Sequence, residues 1–369
     1  MISPIPLRIH ILTSGYPEVE KCPDGFILHN GLIGKDFHWH SKKTLHFRGD
    51  YEIINGRLIS SIDVEQYLCS VIASEMNPEA PAEFLKAHAV ISRSWAMGKI
   101  LGTHAALSPN ESMHSSDTIL GFNDTGDHRD FHVCNDDHCQ RYQGIPDDSN
   151  RKRVAEEAVE ATRGLVLTDS GDNIADARFS KHCGGHTELF STCWQENDPH
   201  YLKSFEDPFC DLSDMTETDR NAFLSTILND YDLGTPFEAW SVELTREEIR
   251  KYIYEKFSHD TGKIHALAPL QRGPSGRIKM LKIVADHPLT LGKELFIRRA
   301  LSPSHLLSSD FQITETQQGF RLDGKGWGHG VGLCQIGAAR MAKEGADFRQ
   351  ILNFYYPTAT LTDWNNYPH

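Results

Sequence analysis

One carboxylate, Glu75, stands at a position where a helical pattern calls for an apolar residue. Apolar side chains recur through residues 64–72 at the spacing of one buried helical face, and Glu75 follows Val71 by four positions on that face. Burial disfavours the charged form of a carboxylate and raises its pKa. A carboxyl group of this kind can act as a general acid near neutral pH, so Glu75 is the first candidate catalytic residue.

Two helices joined by a proline-containing turn must position this carboxylate. Asp63 can cap the first helix, and the turn at residues 77–81 ends it, because a proline disfavours helical geometry in the residue before it. In the second helix, Lys86 and Arg93 lie two turns apart and can face one side as a cationic pair. They could bind a polar ligand, or either could form a structural ion pair with Glu75, and the spacing leaves both alternatives open.

A second group of reactive side chains lies in a polar stretch with little periodicity. Histidines and cysteines cluster between His128 and Cys139, a composition typical of a tetrahedral zinc site. Cys134, His138 and Cys139 are three candidate ligands; the fourth is His128 or His132, and the wider loop from His128 favours that residue. Four protein ligands leave no open position, so such a zinc ion is structural. An unmetallated loop or a disulfide between Cys134 and Cys139 is the alternative.

Glycine-rich segments occur at two further places. Gly184 and Gly185 form a pair flanked by short polar side chains, which lets the backbone approach a ligand closely. In residues 324–332 glycine occupies every second position, so one face of an extended strand would be bare. The opposite face would carry Trp327 and His329, and a tryptophan beside polar groups is a common platform for sugars. The run lacks the features of a dinucleotide fingerprint and of a phosphate loop.

The composition is that of a soluble globular protein, with 39% hydrophobic and 24% charged residues among 369. A net charge of −14 argues against nucleic acid and an anionic membrane surface as partners, because both require clustered positive charge. No apolar run approaches the ~20 residues of a transmembrane helix. The first residues, MISPIPLRIHIL, do not form a convincing signal peptide, since prolines interrupt the apolar stretch and it has no small-residue cleavage site.

The pattern along the chain predicts an α+β fold. Short alternating runs predict a β-rich N-terminal segment over residues 1–60, with a tight hairpin turn at Asn55-Gly56. Residues 211–265 read as a helical insertion, with a capping box at Thr245 and Glu248. Alternating patterns return after the insertion. We therefore expect a mixed, β-rich core with a paired-helix active-site element, a zinc-bearing loop and a helical insertion.

Four stretches of the chain resemble the SpoIID/LytB family, which is named for stage II sporulation protein D. Residues 67–76, YLCSVIASEM, are similar to the family pattern Y-L-x-x-V-V-x-x-E-M. Residues 83–95, EFLKAHAVISRSW, are similar to E-A-L-K-A-Q-A-V-A-A-R-T-Y, with His88 where Gln is usual. Residues 177–188 resemble Y-F-S-x-x-x-G-G-x-T-E, and residues 324–338 match G-x-G-W-G-H-G-V-G-M-S-Q-x-G-A almost throughout.

The resemblance implies an organisation and a set of site residues. The core is implied to be split by the insertion into a first half, residues 61–210, and a second half, residues 266–369. Glu75 is implied to be the catalytic acid. The implied zinc ligands of a closed structural site are His128, Cys134, His138 and Cys139, and no organic cofactor is implied. The residues implied to contact substrate or tune the acid are Lys86, Arg93, Ser180, Gly185, Thr187, Glu188, Trp327, His329 and Gln335.

The remaining cysteines have separate roles, because eight cysteines in a chain of this length do not make a small disulfide scaffold. Cys183, Cys193 and Cys210 stand where the family usually has small polar residues, and they permit a disulfide whose pairing the sequence does not select. Cys334 stands where the family usually has Ser, and we expect a free thiol near the cleft. We expect no second metal cluster among the histidines of this region.

The characterised enzymes of the family are lytic transglycosylases of the bacterial cell wall. The resemblance thus implies cleavage of the bond between N-acetylmuramic acid and N-acetylglucosamine in peptide-stripped peptidoglycan glycan strands, with 1,6-anhydro products. It also implies a location outside the cytoplasm, in the periplasm or cell envelope, with the signal sequence absent from this chain. The reaction needs one acid/base, Glu75, whereas a hydrolase would need a second carboxylate, for which Glu188 is the candidate.

Two alternatives stand beside the transglycosylase. The LytB branch of the family is associated with enhancing a separate amidase, so the chain could be a non-catalytic cell-wall binding protein with an amidase as its partner. These two interpretations differ in whether Glu75 acts as an acid. The third alternative, a zinc-dependent hydrolase, requires fewer than four protein ligands so that one metal position stays open.

Overall fold

The computed structural model describes residues 6–35, 40–102, 112–115, 117–121, 128, 130–137 and 139–364. Both helices and strands occur along these residues, and the strands form several separate sheets. The α+β class predicted from the sequence is therefore confirmed. Within the described ranges, none of the helices has both the length and the apolar character needed to cross a membrane.

The N-terminal strands form antiparallel hairpins. Their bounds are β1 Pro6–Ile11, β2 Val19–Cys22, β3 Gly25–Ile33, β4 Ser41–Arg48, β5 Asp50–Ile54 and β6 Arg57–Asp63. One sheet has the strand order β2-β3-β4, and β5, β6 and β1 are neighbours in another. Asn55 and Gly56 join β5 to β6 with φ angles of 50° and 77°, the positive values that a type I′ turn requires. The predicted hairpin turn is confirmed.

The other elements follow in chain order. The helices are α1 Val64–Glu75, α2 Ala82–Leu101, α3 Ser149–Glu160, α4 Phe190–Cys193, α5 Glu217–Ile227, α6 Arg246–Phe257, α7 Glu294–Ala300, α8 Gln335–Lys343 and α9 Phe348–Tyr355. The strands are β7 Ser112–His114, β8 Thr118–Gly121, β9 Val133–Cys134, β10 Leu165–Thr168, β11 Phe179–Ser180, β12 Trp240–Thr245, β13 Ile264–Arg272, β14 Ile278–Ala285, β15 Leu289–Gly292, β16 Phe311–Glu315, β17 Gly319–Gly324, β18 Leu333–Cys334 and β19 Thr360–Asp363.

The segment 211–265 contributes to two hydrophobic cores. It contains helices α5 and α6, and also strand β12, which pairs with β17 in the sheet β12-β17-β16. Helix α5 packs in the larger core together with α1, α2, α8 and α9, whereas α6 packs in a smaller core with α7 and β14. Thr245 and Glu248 form the capping box of α6, as predicted.

Helix α2 lies inside the larger core, and Arg93 ties it to its neighbours. The side chain is 2% exposed, and its Nε and Nη2 donate to the Oε1 and Oε2 of Glu65 in α1 at 2.8 and 2.7 Å. Nη1 donates to the carbonyl of Leu165 in β10 (3.0 Å), and Nη2 also donates to the carbonyl of Val159 in α3 (3.3 Å). Arg93 therefore joins α2 to α1, α3 and β10.

A second buried polar contact joins α2 to α8. His88 is fully buried, with Nε2 at 2.8 Å from the amide nitrogen of Gln335 and Nδ1 at 3.2 Å from the hydroxyl of Ser92. Burial lowers the pKa of His88 from its ordinary value of 6.5 to about 4; the Glu75 carboxylate opposes this change, and Lys181 adds to it. The imidazole is therefore neutral near pH 7, which lets Nε2 accept the hydrogen bond from Gln335.

Replacing Arg93 should destabilise the fold strongly. We expect Arg93→Met to lower the free energy of unfolding by roughly 3 kcal/mol, because it removes one partner of a buried ion pair and leaves Glu65 without its cation. The matched control is Lys86→Met: Lys86 forms a half-exposed pair with Glu83 (2.6 Å), and we expect a loss below about 1 kcal/mol. Denaturant unfolding measures both values, and equal effects would contradict the assignment.

His88 should make the protein acid-sensitive. Its pKa of about 4 in the folded state lies below the ordinary 6.5, so the unfolded chain binds more protons between these values and stability falls as the pH drops from 6.5 towards 4. Between pH 6.5 and 4, the free energy of unfolding of the His88→Gln variant should fall by up to about 3 kcal/mol less than that of the wild type. Unfolding measured at several pH values tests this, with exposed His200→Gln as the control. Parallel pH profiles for the wild type and His88→Gln would refute it.

Candidate functional site

The last residue of α1, Glu75, is buried at the centre of the site, with only 6% of its surface exposed. Its Oε1 accepts a hydrogen bond from the backbone N–H of Arg141 at 3.2 Å. Its Oε2 lies 3.9 Å from the ammonium of Lys181, which also donates to the Glu75 carbonyl at 3.4 Å. The cation beside this carboxylate therefore comes from the segment after β11.

Glu75 belongs to a set of paired charges that we call the buried charge cluster: Glu75, Asp137, Arg141, Lys181 and Asp232. Asp232 is 0% exposed, and its Oδ2 lies 3.2 Å from Lys181 Nζ and 2.7 Å from Arg141 Nη1. Arg141 Nε lies 2.7 Å from Asp137 Oδ1. The cluster has three carboxyl groups and two cations, so not all of its acids can ionise without an excess of negative charge.

The pKa values of the two aspartates in this cluster are shifted in opposite directions. Burial raises the pKa of Asp137 to about 7; Arg141 opposes this change, and the charges of Glu75 and Asp136 add to it. Burial also acts to raise the pKa of Asp232, but Lys181 and Arg141 outweigh it, so the pKa of that carboxyl is lowered. Asp232 is therefore the ionised partner of both cations, and Asp137 carries a proton below neutral pH.

The segment that follows α5 closes over the C-terminal end of α1. The hydroxyl of Tyr231 and the side-chain amide of Asn229 (2.8 Å) donate to the carbonyl of Ser74, one of the carbonyls that the end of a helix leaves without a helical partner. The same segment carries Asp232 into the charge cluster, and the guanidinium of Arg141 lies over the Tyr231 ring at 5.1 Å. The segment 211–265 therefore supplies part of the site around Glu75.

Trp327 forms a wall of the same region. It is 8% exposed, its ring stacks on Phe237 at 6.1 Å, and Lys181 Nζ lies over it at 5.9 Å. The backbones of Trp327 and His182 exchange hydrogen bonds at 2.8 and 3.1 Å. The predicted sugar platform and the charge cluster thus meet at Lys181.

The glycine-rich run, residues 324–332, is not the extended strand that we predicted. Trp327 and Val331 form isolated bridges, and the glycines from Gly326 to Gly332 have φ angles between 71° and 95°. Arg277, which is fully buried, donates to the carbonyls of Cys183 (2.9 Å) and Gly328 (3.2 Å). A Cβ on Gly330 would lie 2.6 Å from the guanidinium carbon of Arg277. Glycine is required because the backbone turns closely around this arginine.

Two residues predicted to face the substrate or Glu75 lie in other contacts. Lys86 pairs with Glu83 on the surface of α2, and Arg93 is enclosed between α1, α2, α3 and β10 with Glu65 as its partner. These contacts correct the sequence-based interpretation. Both cations lie on α2 as the spacing predicts, but each is held by a nearby glutamate, and Lys181 is the cation beside Glu75.

Three further predicted residues are internal. Thr187 Oγ1 donates to the carbonyl of Lys203 at 3.1 Å, and Thr187 is 0% exposed. Glu188 is also 0% exposed, and its carboxylate accepts hydrogen bonds from Ser275 Oγ (2.6 Å), Thr192 Oγ1 (3.1 Å) and the Leu189 N–H (2.7 Å). Gln335 is the buried partner of His88. Their contacts are those of residues that hold the segments around the site in place.

The other predicted residues lie in turns or beside aromatic rings. Ser180 is buried, and its hydroxyl has no hydrogen-bond partner in the part of the chain that the structure describes. Gly185 has a φ of 93°, with open space where a side chain would stand. His329 Nδ1 accepts the N–H of Val331 at 3.0 Å, and its ring contacts Trp194 edge-on at 4.9 Å.

The histidine–cysteine loop, residues 128–139, brings three of the four predicted metal ligands together. The ligand atoms of His128, Cys134 and Cys139 all lie within 4.8 Å of one another, with His128 Nε2 at 4.0 Å from Cys139 Sγ. The ring of His132 is used elsewhere, since its Nδ1 accepts the N–H of Arg8 at 3.0 Å. His138 lies outside the described residues. An imidazole and two thiols this close fit a tetrahedral metal site.

This loop also positions the charge cluster. Strand β9, which contains Cys134, pairs with β1 in parallel, and Cys139 lies between Asp137 and Arg141 in the chain. A metal ion held by Cys134 and Cys139 would therefore fix the backbone whose N–H contacts Glu75.

Lys181, Arg141 and Asp232 were not found from the sequence. The sequence around Lys181 does contain a signal: the lysine is flanked by aromatic, small and glycine residues, which are typical of a buried segment. A lysine in a buried segment needs a buried partner of opposite charge. Asp232 offers none, since it stands in an Asn-Asp-Tyr-Asp string that is typical of a solvated loop.

Comparisons with known proteins match two parts of the chain. The family model for "Stage II sporulation protein" (SpoIID) matches residues 55–168, and a model described as "Domain of unknown function (DUF8618)" matches residues 188–332. The first match contains α1, α2 and the histidine–cysteine loop, and the second contains the segment of Asp232 and the whole glycine-rich run.

Similar curated proteins extend over most of the chain. Stage II sporulation protein D of Bacillus subtilis is 25% identical over 308 residues, which are 83% of this chain and 76% of that protein. An uncharacterised protein of Brachyspira hyodysenteriae is 28% identical over 84% of this chain and 69% of its own length. The amidase enhancer of Bacillus subtilis is 28% identical over 61% of this chain but only 34% of its own length. The family-model match and these relatives agree with one another, and together they support the SpoIID family for this chain.

Proposed function

We propose that this protein is a peptidoglycan lytic transglycosylase in which Glu75 is the general acid and base. The observation that carries this proposal is the buried carboxylate of Glu75 at the end of α1, beside Lys181, which also lies over the ring of Trp327. Membership of the SpoIID family and the relatives named sporulation protein D and amidase enhancer support a role in cell-wall processing. The proposal includes action outside the cytoplasm, with glycan strands as the substrate.

In the proposed reaction, Glu75 acts twice. Its carboxyl proton passes to the glycosidic oxygen between N-acetylmuramic acid and N-acetylglucosamine as the bond to the anomeric carbon breaks. The resulting carboxylate takes the proton of the muramic acid 6-hydroxyl while that oxygen bonds to the anomeric carbon and closes the 1,6-anhydro ring. Glu75 is protonated again at the end, and no water is consumed.

The other carboxyl groups of the charge cluster are held as structural partners. Asp232 and Asp137 are both bonded to Arg141, at 2.7 Å each. Glu188, the residue predicted as a second carboxylate for hydrolysis, accepts hydrogen bonds from Ser275, Thr192 and Leu189. A retaining or inverting hydrolase needs a second enzyme carboxylate that acts on the substrate. Because these carboxyl groups are already engaged in other contacts, their positions favour the transglycosylase.

The histidine–cysteine loop is proposed to bind a structural zinc ion through His128, Cys134, His138 and Cys139. The closeness of the three described ligand atoms and the thiol–imidazole chemistry support zinc. When bound, the ion would supply a crosslink with no open coordination position. It would hold Arg141 and Asp137 in place next to Glu75, and no organic cofactor enters the reaction.

A second candidate function is that of a non-catalytic cell-wall binding protein that assists an amidase. The relative named amidase enhancer, 28% identical over 251 residues, is the observation that favours it. In that case Glu75 and Lys181 would bind glycan through polar contacts without any proton transfer. The two functions differ only in whether products form, and product analysis therefore decides between them.

The decisive experiment is mass spectrometry of the products released from peptide-stripped glycan strands. We expect 1,6-anhydro products from the wild type, and a loss of about 10²- to 10⁴-fold in rate for Glu75→Gln, because the amide cannot donate or accept the proton. Glu79→Gln, in the exposed turn after α1, should act like the wild type. Reducing-end products would instead indicate a hydrolase. Binding of strands without any product, equal for the wild type and Glu75→Gln, would favour the binding protein.

The zinc ion is tested by elemental analysis of the purified chain. We expect Cys134→Ser to bind one zinc ion fewer than the wild type, because the serine hydroxyl is a far weaker zinc ligand than a thiolate. Cys69→Ser is the control, since Cys69 lies in α1 with its thiol on the carbonyl of Glu65 (3.3 Å). Identical zinc contents in the wild type and Cys134→Ser would show that this loop holds no metal.

A further inference from the structure

We infer that Cys183, Asp207, Cys210 and Cys334 form a second zinc site. All four residues follow Lys181 in the chain, whereas Glu75 precedes it. We call these four residues the second cysteine cluster. They lie in the Gly-Gly turn, in the loop before α5 and at the N-terminal end of α8. The inference does not depend on the glycan-cleaving activity, because it concerns metal content alone.

The geometry of the cluster is that of four ligands around one ion. The three thiol sulfurs and one carboxylate oxygen all lie within 4.8 Å of one another, and each residue is at most 1% exposed. Cys183 Sγ lies 3.4 Å from Asp207 Oδ2. In a tetrahedral site with zinc–sulfur and zinc–oxygen bonds of ~2.3 and ~2.0 Å, this ligand–ligand distance would be about 3.5 Å.

The carboxylate is the feature that packing alone does not explain. A buried cysteine is often a small hydrophobic residue, and three of them could simply fill a core. Asp207 is different, because among the described residues no lysine, arginine or histidine lies within ion-pair distance of its carboxylate. A buried carboxylate among thiols must hold either a proton or a cation, and a metal ion supplies the cation.

Hydrogen bonds from neighbouring residues orient these ligands, as the residues around the ligands of a metal site commonly do. Tyr355 donates its hydroxyl to Asp207 Oδ2 at 2.8 Å, and the N–H groups of Phe209 and Cys210 donate to Asp207 Oδ1 at 3.1 and 3.2 Å. The sulfur of Cys334 accepts the N–H of Cys183 at 3.3 Å and that of Gly337, in the first turn of α8, at 3.5 Å. Such contacts fix the orientation of the ligands.

The ligand set identifies the ion. Thiolates select zinc over magnesium and calcium, which prefer oxygen ligands, and a tetrahedral set of four protein ligands makes a closed structural site. The ion would link three segments far apart in the sequence, at residues 183, 207–210 and 334. The carbonyl of Lys181 lies 3.9 Å from Cys334 Sγ, so the same ion would fix the backbone that carries Lys181 to Glu75.

Elemental analysis of variants of the whole chain distinguishes the two metal sites. The proteins are purified with reductant and without chelator. We expect two zinc ions per wild-type chain, one for Cys134→Ser, one for Cys210→Ser and none for the double variant. Cys193→Ser should keep two, since Cys193 is equally buried but contacts the carbonyl of His329 and belongs to neither cluster. Two zinc ions in Cys210→Ser, or none in Cys134→Ser, would overturn the second site.

X-ray absorption of zinc-bound Cys134→Ser decides the question even where Cys210→Ser does not fold. We expect three sulfur neighbours at ~2.3 Å and one oxygen at ~2.0 Å around the remaining ion. A shell that contains nitrogen, or fewer than three sulfurs, would contradict the proposed ligands. So would a metal-free Cys134→Ser protein in which mass spectrometry finds a disulfide between two of the three cysteines. Neither readout involves glycan, so a failure here leaves the proposed activity to be judged by its own products.

Discussion

The structure around Glu75 depends on the pairing of buried charges. Removing an ion from water costs several kcal/mol, and this cost is offset only when each charge has a well-placed partner. Lys181 lies between Glu75 and Asp232, and Arg141 lies between Asp232 and Asp137. These residues come from the end of α1, the segment after β11, the loop after α5, and the segment 137–141 at the end of the histidine–cysteine loop. Displacing any one of these segments would leave a buried charge without its partner, so the four must be assembled together.

Much of the wall around this cluster is irregular backbone, which is costly to order. Fixing each residue in one conformation costs about 1–2 kcal/mol, and few ladder hydrogen bonds oppose that cost in the glycine-rich run. Arg277 supplies an alternative, because its guanidinium gathers carbonyls from Cys183 and Gly328. The two proposed metal sites would act in the same way, each linking loop residues to a two-residue strand. Buried cations of the protein thus stabilise the site, and the proposed metal ions would add to them.

The sequence predicted what local rules determine. The hairpin at Asn55-Gly56, the capping box of α6 and the apolar stripe that ends at Glu75 follow from nearby residues, and the structure has each of them. Helical spacing also placed Arg93 on α2, but spacing cannot tell which element covers a helical face, and Glu65 covers this one. Asp232 was beyond sequence reasoning for the same reason: its partners are 51 and 91 residues away, and only the fold brings them together.

The arrangement of carboxylates bears on which reaction the site could catalyse. Hydrolysis requires a carboxylate that is free to activate water or attack the sugar, whereas ring closure by the substrate's own hydroxyl requires only one acid and base. Asp137 and Asp232 share Arg141, and Asp232 has Lys181 as a second cation, so each is already engaged. Asp232, whose pKa is lowered, instead balances the charge of the cations that surround Glu75. In the proposed reaction such a site would favour intramolecular attack, because the only nucleophile to be positioned would already be part of the glycan.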